Sequence, residues 1–228
     1  MAANAQVYAG SWPASTPDLG TLDLSYVKPI VDAQFYWSSL QLPLGAVEVW
    51  RDRVTGARFT SPGGSQVPVV YTNVRKVVRF DGVNDRMDAP LPVDGPCTVA
   101  VVGRFANVGA NQYLVTGGST GGSFNLYQGS NGNFAFFAGK TLSSTKPNDN
   151  NNHVFLIVSD GENSVLSIDG EEWAGDAGVS NATGVRLAAS ATAYFAGDVQ
   201  AVVVLPYAAG VARRASLVAQ LKAQYRIG

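Results

Sequence analysis

The stretch Asp81-Gly82-Val83-Asn84-Asp85 gathers three side chains with hard oxygen donors, the type Ca²⁺ prefers. An EF-hand loop closes with a glutamate twelve residues from its start, and the chain has none at that spacing from Asp81. The simpler reading is a tight turn in which Asp81 accepts from the backbone N–H groups ahead of it and Gly82 takes a positive φ. Acid–base cleavage of a glycosidic bond asks for two carboxylates roughly 5 to 9 Å apart. The glutamates are Glu48, Glu162, Glu171 and Glu172. Glu162 falls in a turn, and the adjacent Glu171 and Glu172 point apart on an extended chain. That leaves Glu48 with Asp52 as the pair a deep cleft would have to assemble. The single histidine, His153, opens an apolar run after an Asn-rich stretch, which suits a structural or solvent-facing role. Cys97, the single cysteine, follows Gly95-Pro96 and reads as a buried thiol. The glycine runs GGSTGG and GSNGNFAFFAG lack the Gly-Lys-Ser/Thr ending that cradles a phosphate. On these grounds no cofactor is expected, and the chain is not expected to be an enzyme.

Two constellations suit contact instead. Sugar sites set an aromatic platform beside hydrogen-bonding amides and acids, and Tyr113, Tyr127, Trp173 and Tyr194 could supply one together with the Asn-rich loop. Near the start, Trp12, Tyr26, Phe35, Tyr36 and Trp37 belong to a segment that either packs on its own domain or reaches a neighbouring subunit, where they would anchor well in a groove because aromatic rings add area at low rotamer cost.

The elements that must position these residues read mostly as strands. Residues 1–45 are punctuated by Trp12-Pro13, Lys28-Pro29 and Leu42-Pro43, which leaves room for an extended arm with a short helix or two. From Ala46 the pattern changes to short runs: AVEVW, VPVVY, KVVRF, CTVAVVGRF, NQYLVTGG, SFNLYQG and NFAFFAG, separated by Gly and Asn. The polar run STKPNDNNN reads as a loop, and HVFLIVSDGENSVLSIDG as a hairpin with a second turn at Asp169-Gly170. GVRLAA and TAYFAGDVQAVVVLP add strands, the last apolar enough to be central. Only the end changes period, with Val211, Leu217, Val218 and Leu221 on one face of a C-terminal helix and Arg213-Arg214 on its polar face. Ten to twelve short strands and one late helix predict an all-β, two-sheet antiparallel jelly-roll sandwich over 46–228.

Composition agrees. Charged residues are 14% of 228 and Gly numbers 25, a turn-rich chain poor in solvated helix faces. Net charge is -1 with Lys and Arg scattered, so no nucleic-acid partner is expected. The start has no basic-then-apolar leader and no run of about 20 apolar residues occurs, so synthesis in the cytoplasm and no membrane partner are expected.

VEVWRDRVTGARF with Trp50, Asp52 and Gly56, VVRFDGVNDRMDAP, CTVAVVGRF, HVFLIVSDGENSVLSIDGEEW and the closing AYFAGDVQAVVVLP with its helix resemble the concanavalin A-like lectin/glucanase superfamily, the LamG-like jelly roll, in the form common in phage and bacteria. The glucanase branch of that superfamily carries Glu-x-Asp-x-x-Glu on one strand, and no such run occurs here. In its calcium-binding members the ligands come from distant loops, which brings Asp85 and Asp198 into consideration. The resemblance implies a structural protein of a tailed-phage virion, a head decoration or tail/fibre-associated one. Its partners would be its own copies, as a trimer, and other virion proteins. The alternative is a carbohydrate-binding module that attaches to surface glycans.

Overall fold

The computed structural model describes residues 29–72, 75–107, 109–118, 124–191 and 193–228. In chain order the first strands are β1 (Phe35–Ser38), β2 (Gly45–Ala46), β3 (Val49–Arg51), β4 (Arg58–Thr60), β5 (Val69–Thr72), β6 (Lys76–Asp81) and β7 (Met87–Ala89). There follow β8 (Cys97–Phe105), β9 (Gln112–Gly117), β10 (Asn125–Gln128), β11 (Asn133–Phe137) and β12 (Thr141–Pro147). The last are β13 (His153–Ser159), β14 (Ser164–Ile168), β15 (Glu171–Gly175), β16 (Val185–Leu187) and β17 (Ala196–Leu205), before helix α1 (Val211–Tyr225). The polar run expected as a loop is in its first part strand: β12 continues to Pro147 because it pairs with β11 through a bulge.

The strands form two antiparallel sheets. The first runs β15-β14-β13-β8-β17-β6-β5-β2, and the second β12-β11-β10-β9-β16-β7-β4-β3. Between them lies a core in which Phe105 touches Phe134, Phe155 and Phe195 at ring separations of 5.2, 5.5 and 4.9 Å. The outer face of the first sheet carries a second core, where Ala100, Val102, Leu156 and Val203 meet Leu217, Val218 and Leu221 of α1. Three layers explain why CTVAVVGRF, HVFLIVS and AVVVL are apolar at successive positions: β8, β13 and β17 are buried on both faces.

The packed fold begins before residue 46, inside the predicted arm of residues 1–45. Trp12 and Tyr26 lie outside the described residues, but Phe35, Tyr36 and Trp37 belong to this fold's own cores at 8%, 1% and 1% exposure. The cause is the length of β17. β6 covers only its first half, Ala196 to Val199, and β1 takes the rest of that edge, Ala201 to Val204. Alternation then sends Phe35 and Trp37 between the sheets and Tyr36 beneath α1. The indoles lock the ends: Trp37 Nε1–H donates to Trp50 O at 3.1 Å and Trp50 Nε1–H to Ser38 O at 3.2 Å. Tyr36 OH meets Tyr225 OH at 2.9 Å, and Arg213 pairs with Asp32 at 2.5 Å, tying the segment to α1. These three aromatics are therefore spent on the protein's own packing and are not free anchors for a neighbour.

Two expectations for α1 also change. Val211 is 70% exposed, while Arg214 is buried, its Nε–H and an Nη2–H each donating to Glu172 at 2.7 Å. The helix faces β15 here, so position 214 lies on the packed side.

Candidate functional site

The Asp81 loop is a turn. Asp81 Oδ1 accepts from the N–H of Val83, Asn84 and Asp85 at 2.8, 3.2 and 3.3 Å, and Gly82 has φ +78°. A Cβ on Gly82 would also come within 2.6 Å of the Ala196 side chain. Burial opposes ionisation of Asp81, but the N–H donors outweigh it and its pKa is lowered. Asp85 faces inward and accepts from Asp81 N–H at 3.0 Å, with a pKa raised by burial. Asp198, the other residue the resemblance offered as a calcium ligand, is gripped by guanidiniums: Arg79 Nε–H and Arg104 Nη2–H both reach it at 2.7 Å.

Asp52 is a hub for backbone donors. It accepts from Tyr36, Val54, Thr55 and Ala57 N–H and from the Thr55 hydroxyl, at 2.6 to 3.2 Å. Glu48 is exposed, whereas Asp52 is buried with both oxygens engaged by these donors. His153 is 5% exposed, with Nδ1 2.5 Å from Asp169 and Nε2 2.8 Å from Asp149. Burial acts against its charge, but the two carboxylates prevail and raise its pKa above the ordinary 6.5. Asp149 correspondingly drops to about 2, its burial outweighed by the N–H of Asn151 and by the imidazole. The Cys97 thiol is buried and pushed up to about 12 by desolvation.

The four candidate sugar-binding aromatics divide between the sheets. Tyr113 of β9 and Tyr127 of β10 are register partners, half-buried, with rings stacked at 5.3 Å and 19°. Their strand neighbours Leu114 and Leu126 fill the inter-sheet core, so the tyrosines stand on the outer face of the second sheet. Trp173 is elsewhere: on β15 of the first sheet it packs against the inter-sheet core, and its Nε1–H donates to Thr145 at 3.3 Å, stitching β15 to β12. Tyr194 is half-buried and bridges Ala189 in the link between β16 and β17.

Residues that the sequence did not single out complete the face beside the tyrosines. Register aligns Phe137, Asn125, Thr116, Arg186, Asp88 and Thr60 across β11, β10, β9, β16, β7 and β4. Asn125 is 7% exposed and its Oδ1 has no hydrogen-bond partner among the described residues. Arg186 Nε–H donates to Asp88 at 2.6 Å. At this end of the row opens a depression of about 350 Å³ edged by Thr60, Asp88, Pro90, Thr183 and Arg186. Nothing in the local sequence marks Asn125 or Arg186, because the row exists only through pairing of strands distant in the chain.

The fold is an all-β sandwich of two antiparallel sheets with one C-terminal helix. No family model matches the chain, and no curated protein does. Among solved structures it is similar to a Trypanosoma rangeli sialidase in complex with sialic acid, at TM-score 0.63 and 12% identity, over 86% of this chain and 34% of that one. It is likewise similar to the botulinum neurotoxin type G receptor binding domain, at TM-score 0.59 and 10% identity, over 82% of this chain and 51% of that one. The chain thus spans about a third of the sialidases' length and half of the toxin domain's. The expectation that the chain is not an enzyme is corrected by the first of these: the fold recurs within sialidases, so a missing carboxylate motif does not exclude enzymatic use. At such identities the likeness establishes the fold.

Proposed function

We propose that this chain is a saccharide-contact module of the concanavalin A-like type, binding through the outer face of its second sheet. The carrying observation is the Tyr113–Tyr127 stack, two residues along β10 from a buried Asn125 whose Oδ1 has no donor among the described residues. Residues 125 and 127 sit about 7 Å apart on one face of the strand, close to the width of a sugar ring. Aromatic C–H contact, an acceptor for a hydroxyl and the Arg186–Asp88 pair supply the mixed chemistry that pyranoses need. The similar structure titled a receptor binding domain supports a contact role for such a sandwich. Attachment of this kind suits the phage-particle setting that the sequence resemblance implies, with other virion proteins as neighbours. Self-association as a trimer is part of that setting, and its anchors must be sought outside Phe35, Tyr36 and Trp37.

The test is a glycan array probed with the full chain, followed by calorimetry on each hit and an assay for its cleavage. The expected result is a restricted set of saccharides whose affinity falls at least tenfold in Tyr127→Ala, with the fold retained by circular dichroism. A folded chain that retains no glycan, or one indifferent to Tyr113→Ala and Tyr127→Ala, sinks the reading.

A further inference from the structure

On the opposite side of the molecule, the outer face of the first sheet meets the C-terminal end of α1 around a polar cavity of about 350 Å³. That is within the range of roughly 300 to 1,000 Å³ typical of small-molecule sites. Arg104 and Asp198, cross-strand partners on β8 and β17, line it together with Gln200, Asn151, Asn152 and Arg226. Alternation along β17 sets Gln200 on the same outer face as Asp198, and the register shift between Val199 and Ala201 leaves it without a cross-strand partner on β8.

Two features exceed what the fold requires. Gln200 is 3% exposed, and its Oε1 has no hydrogen-bond partner among the described residues, a costly state for a buried acceptor. Charge is also unbalanced. Asp198 holds both Arg79 and Arg104, so one guanidinium charge is left uncompensated there, and Arg226 adds another at the cavity's edge.

We propose that this cavity binds an acidic sugar, a pyranose-sized polyol bearing a carboxylate. The carboxylate accepts from Arg226 and Arg104, whose planar forks match its two oxygens. A ring hydroxyl donates to Gln200 Oε1, and the Asn151 and Asn152 amides take the remaining hydroxyls. Inorganic phosphate near neutral pH brings a P–OH donor but no array of ring hydroxyls for the Asn151 and Asn152 amides, and a neutral sugar leaves the guanidinium charge unmatched, so neither fills the site as well.

The experiment titrates the full chain separately with D-glucuronate, D-glucose and inorganic phosphate, followed by amide and side-chain NMR. Two variants serve it. Arg226→Gly keeps the left-handed backbone of the helix cap, φ +56°, at an exposed position. Gln200→Met removes the orphan acceptor while keeping its volume, so it should hold the fold. Expected are saturable glucuronate shifts centred on residues 104, 151, 152, 200 and 226, with affinity at least about tenfold above glucose and phosphate. Each variant should lower that affinity about tenfold or more, while Val179→Ala, at an exposed position outside the cavity lining, leaves it unchanged. Absence of saturable shifts, equal binding of glucose or phosphate, or affinity unaltered in both variants overturns the proposal. None of these outcomes bears on glycan binding at the tyrosine face, which Tyr127→Ala reports separately.

Discussion

Asp52 and His153 are polar groups that the fold has taken inside and satisfied. Asp52 lies two residues past the buried Trp50, and its two oxygens serve donors from four residues, including the N–H of Tyr36 on β1. Asp52→Ala leaves those N–H groups without a partner, and chemical denaturation should register a loss of about 3 kcal/mol. His153 contributes with a definite sign. Its folded pKa is raised above 6.5, so its stabilisation is fully present below 6.5 and is lost as pH rises through the folded value. Asp149 acts oppositely: its stabilisation is present above 3.8 and is lost as pH falls toward about 2. Urea melts of the protein and of His153→Gln across the range above 6.5 should differ in slope, with the variant flatter. Equal slopes would mean that the imidazole is not held between Asp149 and Asp169 in solution.

At the scale of elements, β1 departs most from the sequence reading. Pro29, Pro43 and the aromatic run look like an arm because the strand is four residues long and its pattern FYWS shows no alternation. Both of its faces are buried, which erases the period that would mark it as a strand. Trp37→Ala should cost about 3 to 5 kcal/mol, as expected for emptying a fully buried aromatic site. A chain beginning at residue 41 should melt well below one beginning at residue 29, since it lacks β1 and exposes half the β17 edge. Equal melting temperatures would show that β1 is dispensable. By contrast β13 and β14 were legible at once: each strand run is bounded by Asp-Gly, and the observed hairpin turns at Gly161–Asn163 and Asp169-Gly170 as its residues dictate.

For the molecule as a whole, the third layer is decisive. α1 covers the outer face of the first sheet through Leu217, Val218 and Leu221, leaving the second sheet's outer face to carry the tyrosine pair. A chain ending at residue 209 should expose Ala100, Val102, Leu156 and Val203 as one apolar patch. Dye binding and aggregation should rise sharply on that truncation. A soluble, dye-silent product would refute the layered account. The same arrangement separates the two proposed sites by the full thickness of the sandwich, so occupancy of one should not compete sterically with the other.

Short β-branched and aromatic runs punctuated by Gly, Asn and Asp determined the all-β class, the central position of β17, the Asp81 turn and the terminal helix. These follow from local period and turn chemistry, which neighbouring residues dictate. Tertiary structure alone decided which aromatics share a face. Tyr113 and Tyr127 meet because β9 and β10 pair in one register, whereas Trp173 was carried to the other sheet. It alone also placed Asn125 beside the tyrosines and Gln200 beside Arg104 and Arg226. Their positions come from strand order and register, contacts between residues far apart in the chain that no local pattern encodes.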